Sequence, residues 1–224
     1  MRKTRNHASK GLQKAKATGN IRIIAGKHRG RKLPVIMSDG LRPTTDRVKE
    51  TVFNWLMPYI NQSTCLDCFA GAGSLGFEAL SRGAKKVTLI ELDKNAARQL
   101  QQNKALLKAE SVDIHHTSAL DFLATPSTSK FDLVFIDPPF RKGLAKQAIE
   151  LLENNWLADN ALIYIEMENE NDQLSIPDDC RIHSREYTIR IMCHKCDNEH
   201  ENTVLNVLQS KYGCKTQLLR ILWQ

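Results

Sequence analysis

Between residues 64 and 167 short apolar runs alternate with longer amphipathic ones, and this alternation limits the possible folds more than any other feature. Runs at 64–69, 86–91, 111–115, 131–136 and 161–167 have strand length, whereas about 74–82, 94–108, 119–124 and 143–154 carry apolar residues at helical spacing. Gly83 stands where a helix ends in a left-handed residue, and Asp93 and Ser118 stand where side-chain oxygens cap helix N-termini. Successive strand–helix units pair their strands in parallel, because each helix returns the chain to the same edge. The expected fold is an α/β, Rossmann-like sheet with helices on both faces. Ligands of such sheets bind beyond the carboxyl ends of the strands.

Three strand ends carry the residues of interest. Phe131-Asp132-Leu133-Val134-Phe135-Ile136 stops at Asp137-Pro138-Pro139-Phe140. Adjacent prolines offer no N–H to a sheet, so the strand ends there and presents a carboxylate, a rigid carbonyl and an aromatic ring. The first strand runs into Asp67-Cys68-Phe69-Ala70-Gly71-Ala72-Gly73-Ser74-Leu75-Gly76. There glycines let the backbone approach a ligand and place N–H groups at a helix N-terminus. Glu91 closes the second strand with Asp93 just beyond, and a carboxylate in that position can accept both hydroxyls of a ribose.

Two ligands suit this loop. Gly71, Gly73 and Gly76 satisfy G-x-G-x-x-G, and Glu91 follows Gly71 by the 20 residues that the dinucleotide motif wants, so an NAD-dependent oxidoreductase fits the spacing. Asp67, four residues before Gly71, would repel a pyrophosphate and suits a ligand with an ammonium group. S-adenosylmethionine carries an ammonium, a sulfonium and an adenosine but no phosphate, and the pair Asp67 and Glu91 favours it.

Charge is segregated along the chain. Of the 32 basic residues, eleven fall in residues 1–38, which hold no acid, leaving 21 basic against 25 acidic side chains in the rest. A cation-only end points to an anionic polymer as partner. Residues 1–19 are polar, aperiodic and read as a disordered tail; 20–40 read as a hairpin arm, with strands at 21–26 and 31–35. Its tip projects Lys27, His28, Arg29 and Arg31, flanked by Arg22 and Lys32, as phosphate contacts. Residues 41–224 form the main domain. Arg42, Thr44, Thr45 and Asp46 precede a helix whose stripe Val48, Val52, Trp55 and Leu56 faces the core and which Pro58 is expected to end. The polar group before that helix exceeds what one cap needs.

Beyond 167 the pattern weakens into an acidic loop at 168–179, a strand within 181–191, a helix at 199–212 and a strand at 217–223. Cys193, Cys196, His200 and Cys214 form only one close ligand couple, short of a structural zinc site, so no metal is expected. The six cysteines lie in no disulfide framework, no run of 18 apolar residues exists, and the basic N-terminus lacks an apolar signal core. These features point to a cytoplasmic protein with reduced thiols and no membrane contact.

Asp137-Pro138-Pro139-Phe140 resembles the D/N-P-P-F/Y/W signature of methyltransferases acting on planar exocyclic nitrogens. An NH2 group of that kind is a poor nucleophile because its lone pair is delocalised. Asp137 and the Pro138 carbonyl, accepting its two hydrogens, favour a localised lone pair, and Phe140 offers a stacking face once the base has left any helix. No unusual pKa is required of Asp137. Together with Arg42 to Leu56, Asp67 to Gly76 and Glu91-Leu92-Asp93, the motif makes the chain resemble bacterial 16S ribosomal RNA guanine-N2 methyltransferases, over about residues 21–167.

That resemblance implies a class I methyltransferase fold with a mostly parallel seven-stranded sheet and an N-terminal hairpin. The implied cofactor is S-adenosylmethionine, and the implied substrate is one guanine N2 of 16S rRNA in the small ribosomal subunit or an assembly intermediate, approached by a monomer. By the same analogy Thr44, Thr45 and Asp46 border the methionine end of the cofactor, Asp67, Phe69, Ala70 and the three glycines line its loop, and Asp93 stands near the ribose held by Glu91. Leu92 packs on the adenine, and Ala119 and Leu120 lie beside its edge. The family's terminal antiparallel hairpin is poorly matched by residues 168–224. An adenine-N6 methyltransferase shares the signature, and a non-catalytic ribosome-assembly factor would need the basic arm alone.

Overall fold

The computed structural model describes residues 18–36, 46–139, 142–167, 182–183, 188–194 and 219–221. Thr18–Arg22 (β1) and Lys32–Ile36 (β2) pair as an antiparallel hairpin. Its first strand therefore begins three residues before the expected start at Ile21. Asp46–Ile60 (α1) follows, then Thr64–Asp67 (β3), Ser74–Ser81 (α2), Lys86–Glu91 (β4), Lys94–Leu107 (α3) and Val112–His116 (β5). Ala119–Leu123 (α4), Phe131–Ile136 (β6), Leu144–Leu152 (α5) and Leu157–Met167 (β7) complete the alternating part. Pro58 does not end α1, which runs on to Ile60. A proline in the last turn sacrifices one backbone bond, and burial of Ile60 offsets that loss.

The strands β5-β4-β3-β6-β7 lie side by side, all parallel. Thr188–His194 (β9) adds antiparallel to β7, and Leu219–Ile221 (β10) pairs parallel with β9. Among the described residues the path thus has seven strands, with Ile182–His183 (β8) flanking β9 as an eighth. β9 and β10 run parallel, so they are not the two arms of a terminal antiparallel hairpin. The expected helix at 199–212, together with Cys196, His200 and Cys214, lies outside the described residues. β7 starts earlier than the expected residue 161, because its register against β6 shifts between Phe131 and Leu133 and Asn160 has positive φ.

Strand alternation sorts the core onto two faces. Val87, Leu89, Leu133, Phe135 and Tyr164 pack with α1, α2, α3 and the hairpin, whereas Leu66, Ile90, Val134, Ile136 and Ile163 pack with α4 and α5. Burial of each such side chain stabilises the fold by about 1.5–3 kcal/mol.

The hairpin belongs to the first face. Ile21, Ile23, Leu33 and Val35 are buried in that core, and the bend after β1 is clamped by α2. Glu78 accepts hydrogen bonds from the Ile24 and Ala25 N–H groups at 2.8 and 3.1 Å and from Arg82 Nε at 2.7 Å. The Lys27 N–H donates to the Ser81 carbonyl and the His28 N–H to Ser81 Oγ. Gly26, at φ +79°, lies so close to the Ser81 carbonyl that a Cβ would collide with it. Buried Lys49 sends Nζ to the Arg22 carbonyl at 2.6 Å, tying β1 to α1.

Candidate active site

The carboxyl ends of β3, β6 and β7 bring three acids onto one face. Asp67 pairs in register with Phe135, and Phe135 with Tyr164. Asp137 and Glu166 follow the last paired row, Ile136 with Ile165, and residues two apart on a strand share a face. Among the described residues none of the three acids forms a salt bridge. Asp67 is buried; its Oδ2 accepts the Gly76 N–H at 3.1 Å, yet desolvation pushes its carboxyl up to about 7. Asp137 is pushed well above its ordinary range by burial, then by Glu166 and Asp67. Glu166 is raised by burial and held down in part by the Tyr164 hydroxyl, which donates to its Oε2 at 3.1 Å. An ordinary Asp137 was all that the amine-holding chemistry required; the fold instead gives it an elevated proton affinity.

Around this group the glycine turn is held by the sheet. Cys68 N–H donates to the Phe135 carbonyl and Ala70 N–H to that of Ile90. Gly73, at φ +78°, begins α2, and a Cβ there would strike Phe77 and Leu100; a Cβ at Gly76 would meet Leu89 and come within 3.3 Å of Asp67 Oδ2. Glu91 spans the turn, with one oxygen accepting the Gly71 N–H and the other the Asp93 N–H, both at 2.7 Å. Leu92 is 68% exposed beside it and presents an apolar side chain. Ala119 is buried and Leu120 half-buried at the start of α4, capped by Ser118.

Several expected site residues have other engagements. Asp93 Oδ1 accepts the Asn95 and Ala96 N–H groups as the cap of α3. Asp46 pairs with Arg22 at 3.0 Å and with Lys49 at 3.5 Å. Arg22 stays exposed in that pair. At the hairpin tip burial, Lys27 and Arg31 lower the His28 pKa below its usual 6.5. Arg31 donates to the Leu106 carbonyl, while Lys27, Arg29 and Lys32 remain exposed. The tip docks at Ser81, the opposite end of α2 from the glycine turn and about 10 Å from it along the helix axis. Arg42, Thr44, Thr45 and Phe140 lie outside the described residues. Reading the sequence alone overlooked Glu78, Tyr164 and Glu166; an acid closing the apolar run that begins at Ala161 was the available sign of the last.

Five parallel strands in this order, an antiparallel neighbour and an acid-lined glycine turn define a class I methyltransferase. A family profile described as conserved hypothetical protein 95 matches residues 21–195. Ribosomal RNA small subunit methyltransferase D of Haemophilus influenzae is 62% identical over 165 residues, covering 72% of this chain and 86% of that protein. Its counterpart in Escherichia coli is 55% identical over 167 residues, covering 74% of this chain and 84% of that protein. A solved Escherichia coli structure described as a candidate methyltransferase, yhhF, superposes with a TM-score of 0.70 at 49% identity, covering 77% of this chain and 97% of that one. The chain belongs to the ribosomal RNA small subunit methyltransferase D family.

Proposed function

We propose that the protein transfers a methyl group from S-adenosylmethionine to the exocyclic N2 amine of a guanine in small-subunit ribosomal RNA, acting as a cytoplasmic monomer on the subunit or its assembly intermediate. The observation that carries this reading is Asp137 and the Pro138 carbonyl at the abrupt end of β6, beside Asp67 and Glu166 and without an ion pair among the described residues. The names of the relatives supply the RNA and the subunit.

The chain's residues fit the cofactor. A buried Asp67 with its carboxyl at about 7 gains from an ammonium neighbour and would lose from a phosphate. Glu91 faces the ribose position while bracing the glycine turn, and exposed Leu92 matches a flat ring. Thr44, Thr45 and Asp46 border the amino acid end; Phe69, Ala70, Gly71, Gly73 and Gly76 line the loop; Asp93, Ala119 and Leu120 complete the adenosine side. When bound, the cofactor supplies an electrophilic methyl group.

Asp137 and the Pro138 carbonyl accept the two amine hydrogens and turn the nitrogen lone pair toward that methyl, Pro139 fixes the turn, and Phe140 stacks the base. Transfer would form the N–C bond and break the bond between that methyl and the cofactor's sulfur, leaving S-adenosylhomocysteine, and the nitrogen would then release one proton to an ionised Asp137. Lys27, Arg29 and Lys32 grip phosphates away from the reacting base, and Arg42 is a further phosphate contact. Unmethylated small subunits incubated with the protein and cofactor, then digested to nucleosides, should yield N2-methylguanosine by mass spectrometry. N6-methyladenosine, or no methylated nucleoside, would overturn the reading.

A further inference from the structure

Asp137 and the Pro138 carbonyl already account for both hydrogens of an exocyclic amine, and Glu166 stands beside them with nothing assigned to it. Its place follows from register: β6 and β7 are parallel, Phe135 pairs with Tyr164 and Ile136 with Ile165, so Asp137 and Glu166 emerge side by side on one face. Glu166 is half-buried, and its Oε2 receives the hydroxyl of Tyr164, a fully buried side chain packed against Phe135 with ring centroids 6.2 Å apart. That bond fixes the carboxylate and offsets part of the burial that raises its proton affinity. The Asp137 carboxylate accepts no hydrogen bond from the described residues. Two neighbouring carboxylates, one tethered and one without a donor, call for a ligand edge with adjacent donors.

Among nucleobases, the atom beside the reactive amine separates the candidates. In guanine the N2 amine is flanked by N1–H, a donor. In adenine and cytosine the amine is flanked by a ring nitrogen with a lone pair, which a carboxylate repels.

We propose that Glu166, held in place by Tyr164, is a specificity-determining residue that accepts the N1–H of the target guanine while Asp137 and Pro138 hold its N2 amine. The assignment rests on the guanine-N2 reading above. It makes base choice a property of two adjacent strand ends, separate from the RNA contacts that choose the position. A carboxylate aimed at N1 rejects any base with a lone pair there, because the acceptors would face each other with no proton between them.

The test uses 2-aminopurine, which keeps the 2-amine and carries a lone pair at N1. Small subunits are reconstituted with RNA bearing either guanosine or 2-aminopurine riboside at the nucleotide that mass mapping identifies, and kcat/KM is measured for each. The native protein should prefer guanosine by about a hundredfold. Glu166→Gln, whose amide can donate to N1, should bring the ratio to within about tenfold of unity while S-adenosylhomocysteine affinity holds. A native protein indifferent to the two bases, or a variant slowed equally on both, would overturn the proposal and leave the guanine reading intact. Methylation found on another base, with both test nucleotides inert, would remove the guanine reading and this proposal with it. Should Glu166→Gln not fold, Tyr164→Phe reads the same ratio, with a several-fold loss of discrimination expected and an unchanged ratio counting against the tether.

Discussion

The two ends of α2 hold buried carboxylates in opposite conditions. At the far end Glu78 is saturated by two hairpin N–H groups and the Arg82 guanidinium, which also lies 5.0 Å from the Phe53 ring centroid. At the near end Asp67, Asp137 and Glu166 crowd one face with no cation from the described residues, and all are pushed toward their protonated forms. Both arrangements desolvate charge. The first compensates it within the fold and so fastens the hairpin to the domain. The second leaves it to be compensated by what binds, so the energy withheld from folding is available for an ammonium and an amine edge.

Removing one acid from each end should separate these roles. Asp137→Ala is expected to lower turnover by about a thousandfold while S-adenosylhomocysteine affinity, read by calorimetry, changes little; parallel losses in both would mean that Asp137 serves the fold. Glu78→Ala strands Arg82 and two backbone N–H groups, and should cost about 3 kcal/mol in denaturant unfolding without touching the reacting groups. A neutral outcome there would erase the distinction between the two ends.

The pH dependence sharpens the same contrast. Asp67, raised to about 7 from an ordinary 3.8, holds its proton more tightly in the folded protein than in the unfolded chain. Its contribution to stability is fully present below about pH 4 and is lost as pH rises through about 7. An ammonium ligand reverses that loss by favouring the ionised form. S-adenosylhomocysteine should therefore bind roughly tenfold tighter at pH 8 than at pH 6, with proton release seen as a buffer-dependent heat. A flat profile would place the ammonium elsewhere. The smallest effect is expected at the hairpin tip. Reversing Lys27 and Arg29 to Glu should reduce the salt slope of RNA binding by about one to two and shift stability by less than about 0.5 kcal/mol. A slope unchanged from the native protein would make the tip's charge incidental to RNA.

Much of this was legible from residue order alone, for local reasons. Strand and helix periods are written every two or four residues, so the five parallel strands and the caps at Asp93 and Ser118 follow from short-range pattern. The Pro pair ends a strand wherever it stands, and the glycine turn announces itself by composition. Boundaries set by packing were less legible. Pro58 lies inside α1 because burial of Ile60 outweighs one lost hydrogen bond. β7 begins early because a register shift lets Leu157 reach Phe131. The hairpin read as a charged arm, but its alternate residues Ile21, Ile23, Leu33 and Val35 are core. Its attachment could not be seen because Glu78 is more than fifty residues away along the chain.

By itself the sequence determined which groups the protein possesses and which edge of the sheet carries them: Asp137 with its prolines, Asp67 before the glycines, and Glu91 at a strand end. Each rests on a rule acting over a few neighbouring residues. Tertiary structure alone decided their company. Lateral pairing of β6 with β7 set Glu166 beside Asp137, the β3–β6 register brought Asp67 to the same face, and docking of the hairpin on α2 gave Glu78 the Ile24 and Ala25 N–H groups. Charge acts through space and in proportion to burial, so which carboxylate is satisfied and which waits for a ligand is settled only when distant strands lie side by side.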